Sequence, residues 1–449
     1  MSPRPRTGPA RLRAVAAILL AATSLAACAE REVILPGERL SIRPDGDVGV
    51  LASATAAAAP EALAISLAAP RQLPDWPLRV GNAVNDPAHA TLSDAPQRAW
   101  SADIGAGDTR RLRLTADPVS DGQAIYTLDA RSRVVATSTG GGRLWSRSLV
   151  PGAEREGDAS GGGLAVVDGT LYVTTGYGRL HALEAASGAE RWVQRLDAPI
   201  TSPKVVGGGV YVVSRDGRAW ALDAGTGRIL WDLPSQPSTT VMASSPAPAV
   251  TDRLAIFPFG SGELQAVLRQ SGLRVWGSSL SGQRLGVAYS DIGDVTGDPV
   301  VSGGTVFAGT AAGRIVALDL ASGARLWTAT EGAVSPLTVA GGSAFAVTDR
   351  AQVIRLDAAT GEVLWRRDLP FYRNQRLTRR QGIFAHYGPV LAGGRLWVAS
   401  SDGVLRGLDP ASGAIQVQVP VPGGAASRPI LLGGALFVTG RNGQLHAYR

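Results

Sequence analysis

A glycine followed four residues later by tryptophan recurs along this chain at a near-regular spacing: Gly141/Trp145, Gly188/Trp192, Gly227/Trp231, Gly272/Trp276, Gly323/Trp327 and Gly361/Trp365. A seventh register, Gly413, carries Val417 in the tryptophan place. The glycines stand 47, 39, 45, 51, 38 and 52 residues apart. A unit of this size cannot bury an apolar face by itself, so it must stack on copies of itself. That requirement limits the fold more than any other property of the sequence.

Each unit has the same internal order: three short apolar runs separated by turns, and then the tryptophan run. In one copy Val205-Val206 and Val210 to Val213 flank Gly207-Gly208-Gly209, Asp216-Gly217 leads into Ala219 to Leu222, and Asp223 to Gly227 leads into Ile229-Leu230-Trp231. Asp216-Gly217, Asp402-Gly403 and Asn442-Gly443 supply the positive φ angles that tight hairpins need. Pro118, Pro203, Pro248, Pro299, Pro336, Pro389 and Pro429 open first strands, where a missing N–H costs no ladder bond. Four strands per unit with no helical stretch between them predict propeller blades. The last unit, ending Gly443 to Arg449, matches Gly178 to Glu184 and lacks a tryptophan strand, while Trp100 lies one period before Trp145. The expected fold is therefore all-β: an eight-bladed β-propeller over residues 96–449, its ring closed by an N-terminal strand that completes the last blade.

Residues 1–27 join Arg4, Arg6, Arg11 and Arg13 to the apolar run Ala14 to Leu20 and end in Leu25-Ala26-Ala27, before Cys28. This is the form of an export signal, too short for a membrane span. Leu25 to Cys28 resembles the bacterial lipobox, which implies cleavage before Cys28 and lipidation of its sulfur. Ala29, where that pattern would carry Asp for inner-membrane retention, favours the outer membrane facing the periplasm. An ordinary secretory peptide ending Ala-x-Ala is the alternative. Cys28 is the only cysteine, so no disulfide framework, Cys-based zinc site or iron–sulfur cluster can be built within the chain. Residues 28–95 are rich in Ala and Pro without a sustained period and read as a lipidated tether, with a short helix allowed around Glu61 to Leu67. Of the net charge of +7, four units belong to the signal, and the remaining +3 does not make a nucleic-acid footprint. Lys204 is the one lysine among 44 basic residues.

Leu222 to Trp231 and Leu356 to Trp365 resemble the repeat of the pyrroloquinoline quinone propellers, some of which are dehydrogenases using the quinone with calcium and a catalytic Asp. The vicinal cysteine pair that covers the quinone in many of them cannot form here. No catalytic residue, cofactor or metal site is assigned. His89, His181, His386 and His446 are scattered, with His181 and His446 at one repeat position, which suggests a structural role. The glycine runs at 140–142, 161–163 and 207–209 lack a following Gly-Lys-Ser/Thr and are loops. Six arginines between Arg366 and Arg380 form either a solvated loop or a surface for lipid headgroups or an acidic partner.

The lipobox, tether and eight-bladed repeat together resemble the BamB family of outer-membrane β-barrel assembly lipoproteins, most specifically at Ser290 to Val301 and Gly443 to Arg449. The resemblance implies a non-catalytic scaffold that docks on the POTRA domains of a BamA-like barrel protein. Its further partners would be other assembly-complex lipoproteins, unfolded outer-membrane protein clients and the membrane itself through the lipid. It also implies partner contacts at Asp291 or Asp294, and near Val241 and Met242, where the family's Leu-x-Leu-Arg pattern is not retained. A quinone-dependent dehydrogenase and a periplasmic cell-wall polysaccharide-binding propeller are the alternatives.

Overall fold

The computed structural model describes residues 63–238, 246–280 and 293–449. Among these, thirty-two strands form eight antiparallel four-stranded sheets, the blades of a propeller. Blades 1 to 7 open at Val119, Gly162, Lys204, Ala249, Val300, Thr338 and His386, each a run of four consecutive strands. Blade 8 takes Ile430–Leu432, Ala435–Thr439 and Gln444–Tyr448 from one end of the propeller sequence and Arg98–Asp103 from the other, with Ser101 opposite His446. The ring closes as the repeat alignment predicts. Strand-opening prolines precede six first strands; Pro389 instead lies inside His386–Ala392, where the pairing register shifts.

Second strands such as Thr170–Thr175 are buried throughout, whereas fourth strands such as Glu190–Arg195 alternate with solvent. The core is thus a series of apolar layers between neighbouring blades, for example Val119, Tyr126 and Val134 of blade 1 against Leu164, Leu171 and Val173 of blade 2. The repeated tryptophan and glycine are the two halves of one latch across each layer. Trp145 rests its ring against Gly188 of the next blade, where an added Cβ would lie 2.7 Å from the indole, and Trp327 does the same to Gly361. Both glycines have positive φ, so the bare Cα answers two demands at once. Each indole N–H donates to a carbonyl of the same turn: from Trp100 to Thr139, Trp145 to Ala185, Trp192 to Ala224, Trp231 to Arg269, Trp276 to Leu320, Trp327 to Ala358 and Trp365 to Pro410, all at 2.9 to 3.2 Å.

Seven latches serve eight interfaces. Val417 sits opposite Gly407 as Trp231 sits opposite Ala221, so it holds the tryptophan position of blade 7. Its latch would need the turn between the third and fourth strands of blade 8. Those strands come from opposite ends of the sequence and share no turn. The one departure from the tryptophan rule therefore falls where a tryptophan has nothing to meet.

Residues 63–92, assigned by composition to a tether, lie against the propeller, and residues 63–67 are not helical. Trp76 exchanges backbone bonds with Ser120 of blade 1, and the carbonyls of Pro77, Ala83 and Val84 accept from Val166, Val250 and Val301 of blades 2, 4 and 5. Ala90 accepts from Gly393 of blade 7, Leu73 accepts from Gly433 of blade 8, and Leu63 and Ala64 accept from Arg355 of blade 6. Lys204 of blade 3 donates to Asn82 and Asn85. The segment thus takes up donors on all eight blades, several of them on innermost strands whose inward edges have no strand partner. Its apolar residues Trp76, Leu78, Val80 and Ala90 are buried, but they meet a different blade every few residues, so they show no period.

Candidate functional site

Where the segment meets the innermost strands, charged side chains converge in the interior. Arg79 Nε donates to Asp117 Oδ2 at 3.1 Å and lies 3.4 Å from Asp298 Oδ2. Asp117 Oδ1 accepts the backbone N–H of Arg428 at 2.8 Å, and Asp298 Oδ1 accepts that of Ala247. Arg428 Nη2 donates to the Pro389 carbonyl at 2.6 Å and to Thr338 Oγ1 at 3.3 Å. Lys204 Nζ donates to the Asn82 carbonyl at 3.0 Å and to Asn85 Oδ1 at 2.5 Å, while Asn85 Nδ2 donates to the carbonyls of Pro299 and Pro248.

Charge held this deep must be balanced. Burial pulls the Arg79 guanidinium down, but Asp298 and Asp117 more than offset it and leave its pKa raised. Burial pushes Asp117 up, against Arg79 and the Arg428 backbone N–H. It lowers Arg428 to about 10, with Asp117 and Asp298 opposing. Lys204 falls furthest, to about 7, again by burial, with Asp298 opposing and Arg79 adding. Above that pH Lys204 is neutral, and two arginines then face two carboxylates.

Three of the five charged members, Asp117, Asp298 and Arg428, immediately precede a strand-opening proline, and Lys204 follows one. The repeat alignment therefore contained the signal: a charge beside that proline points to the interior of the ring.

Above the cluster lies a cavity of about 410 Å³, open to solvent, with Arg79, Asp117 and Arg428 in its wall and Phe371, Phe384 and Tyr387 among its apolar lining. Asp108, at its rim, pairs with Arg113 at 3.3 Å and Arg441 at 3.2 Å. His386 also lines it, but Nε2 donates to the Pro370 carbonyl at 2.9 Å and Nδ1 bonds Ser400 Oγ at 2.7 Å. Burial lowers its pKa to about 4, so the ring is neutral and engaged on both sides. His89, His181 and His446 likewise hold neighbouring residues: Gly394, Glu190 and Ser101 respectively. Among the described residues no group of three or more His, Cys, Asp or Glu side chains is placed to hold a metal ion.

Of the residues singled out in the sequence, Cys28, Val241, Met242 and Asp291 lie outside the described residues. Asp294 is 3% exposed, and its charge supports the partly buried guanidinium of Arg215, so it is an internal residue of the approach to blade 5. The arginine run divides. Arg366 pairs with Glu331 at 2.7 Å and Arg367 donates to the Gly413 carbonyl, both from the outer strand of blade 6. Arg373 and Arg380 belong to the following loop, over the rings of Phe384 and Tyr372, and Arg373 reaches the cavity wall.

Residues 130–367 match the family described as outer membrane protein assembly factor BamB. The assembly factor of that name from Salmonella typhimurium is 30% identical over 366 residues, 78% of this chain and 88% of the relative. The crystal structure of BamB from Moraxella catarrhalis superposes with a TM-score of 0.64 at 20% identity, covering 79% of this chain and all of that one. The quinohemoprotein alcohol dehydrogenase from Comamonas testosteroni reaches 0.65 at 15% identity, covering 84% of this chain and 81% of its own, a likeness of fold alone.

Proposed function

The chain belongs to the BamB family of outer membrane protein assembly factors, and from that membership we propose that it is a non-catalytic scaffold of the outer-membrane β-barrel assembly complex. In this reading it is anchored through a lipid on Cys28, faces the periplasm, and docks on the POTRA domains of a BamA-like subunit while clients insert. The observation that carries the reading is the family match over more than half of the chain. A ring of eight latched blades supports it, because such a body presents its loops on a rigid frame suited to holding another protein.

The partner contact proposed at the loop before blade 5 falls to Asp291, and the one after blade 3 to Val241 and Met242. Asp294 is buried and so is not offered to the partner. Calcium-assisted quinone chemistry does not fit the interior: Asp117 and Asp298 are both turned to Arg79, and among the described residues no group of three or more His, Cys, Asp or Glu side chains is placed to hold a cation.

The test is affinity purification of the chain from solubilised membranes. Copurification of a POTRA-containing barrel subunit is the expected result, and its reproducible absence would overturn the assignment.

A further inference from the structure

The open cavity has no part in the scaffold role, yet its wall holds a cation with bonding capacity to spare. Arg428 is 3% exposed. Its Nη2 is spent on Pro389 and Thr338, while Nε and Nη1 have no hydrogen-bond partner among the described residues, and the same holds for Nη1 of Arg79. A buried N–H left unbonded is costly, the more so on a charged group, so interiors rarely leave one without a purpose.

The neighbouring carboxylates do not meet this need. Asp117 is bonded through both oxygens, to Arg79 and to the Arg428 backbone, and Asp298 turns Oδ1 to Ala247 and Oδ2 toward Arg79. Five arginines and three aspartates line the cavity, so its wall keeps an excess of positive charge. Phe371, Phe384, Tyr387 and Val334 supply an apolar surface in the same space. A volume of about 410 Å³ matches a small organic molecule.

We propose that this cavity binds an organic acid, its carboxylate drawn to the positively charged wall that Arg428 helps form and its apolar or aromatic body held against Phe371 and Phe384. The aromatic lining selects an organic acid over inorganic phosphate, which would leave that surface uncovered. The charged wall selects an acid over its neutral amide.

The purified full chain is titrated calorimetrically with 3-phenylpropionate, with 3-phenylpropionamide and with inorganic phosphate. The acid is expected to bind saturably, the amide at least about tenfold more weakly, and phosphate not to displace the acid at equal concentration. Phe384→Ala is expected to weaken the acid about fivefold or more, and Arg428→Gln to abolish the preference for acid over amide. Arg428 also holds the Pro389 carbonyl, so its variant is first melted to establish that it folds; if it does not, the acid–amide comparison and Phe384→Ala decide alone. Equal binding of acid and amide, no saturable binding of the acid, displacement by phosphate, or unchanged affinity in Phe384→Ala would each overturn the proposal.

Discussion

Replacing Lys204 with methionine should make the stability of the propeller respond differently to pH. The side chain is fully buried, and its pKa falls from the ordinary 10.5 to about 7 because burial disfavours the ammonium. The unfolded chain keeps the ordinary value, so between the two pKa values it binds a proton that the folded chain does not. Stability therefore climbs as pH rises through that window and is lost as pH falls back toward the folded-state value. The full gap is worth about 5 kcal/mol. Roughly 2 kcal/mol of it is expressed between about pH 7 and about pH 9. In Lys204→Met the Asn82 carbonyl and Asn85 Oδ1 lose their donor, at about 1 to 3 kcal/mol each, but that cost does not depend on pH in this range. Equilibrium urea unfolding of both proteins at the two pH values isolates the effect, since other titrating groups cancel in the difference. The parent chain should gain about 2 kcal/mol on the variant as pH rises. A flat difference would refute the reasoning, because a lysine ion-paired with Asp298 and charged throughout would give that result, and a falling difference would refute it outright.

Adding a methyl group at the latch, as in Gly361→Ala, should cost about 2 to 3 kcal/mol by denaturant unfolding, because φ is +77° there and the Cβ would lie 2.5 Å from the Trp327 ring. The control Gly342→Ala has positive φ but open space around it, and should cost about 1 kcal/mol. Trp365→Val should lose about 3 kcal/mol or more, whereas Val417→Trp should bring no gain, since blade 8 offers no turn for its indole. Cys28→Ala should leave the thermal melt of the propeller unchanged and move the protein from the membrane to the soluble fraction on cell fractionation; retention in the membrane would count against the lipid anchor.

The architecture could be read from the sequence because the same physical problem is solved once per blade. A tryptophan that must cross to the next blade and a glycine that must receive it mark seven of the eight junctions, and the terminal match between Trp100 and the unfinished last unit gave the closure. Residues 63–92 were not legible for the opposite reason: each of their contacts is used once, with a different blade each time, so nothing repeats. The interior charges fall between these cases. Asp117, Asp298 and Arg428 stand beside strand-opening prolines that the alignment had already identified, but three charges among eight copies look like variation until the ring brings them together. The resemblance that points to Asp291 or Asp294 does not say which of the two carboxylates faces inward, and Asp294 is buried.

The way blade 8 is assembled also sets an order in time. Synthesis delivers Arg98–Asp103 before any other strand of the propeller and Gln444–Tyr448 after all the rest. The strand that carries Trp100 therefore has no neighbour to pair with while seven blades form behind it. Until the final strand arrives, the early one stays an open edge, visible to any chaperone or protease that recognises unpaired backbone. Ring closure thus works as a measure of length: a chain cut short before Gln444 has nowhere to put its own beginning, and it announces the defect at the end farthest from the cut.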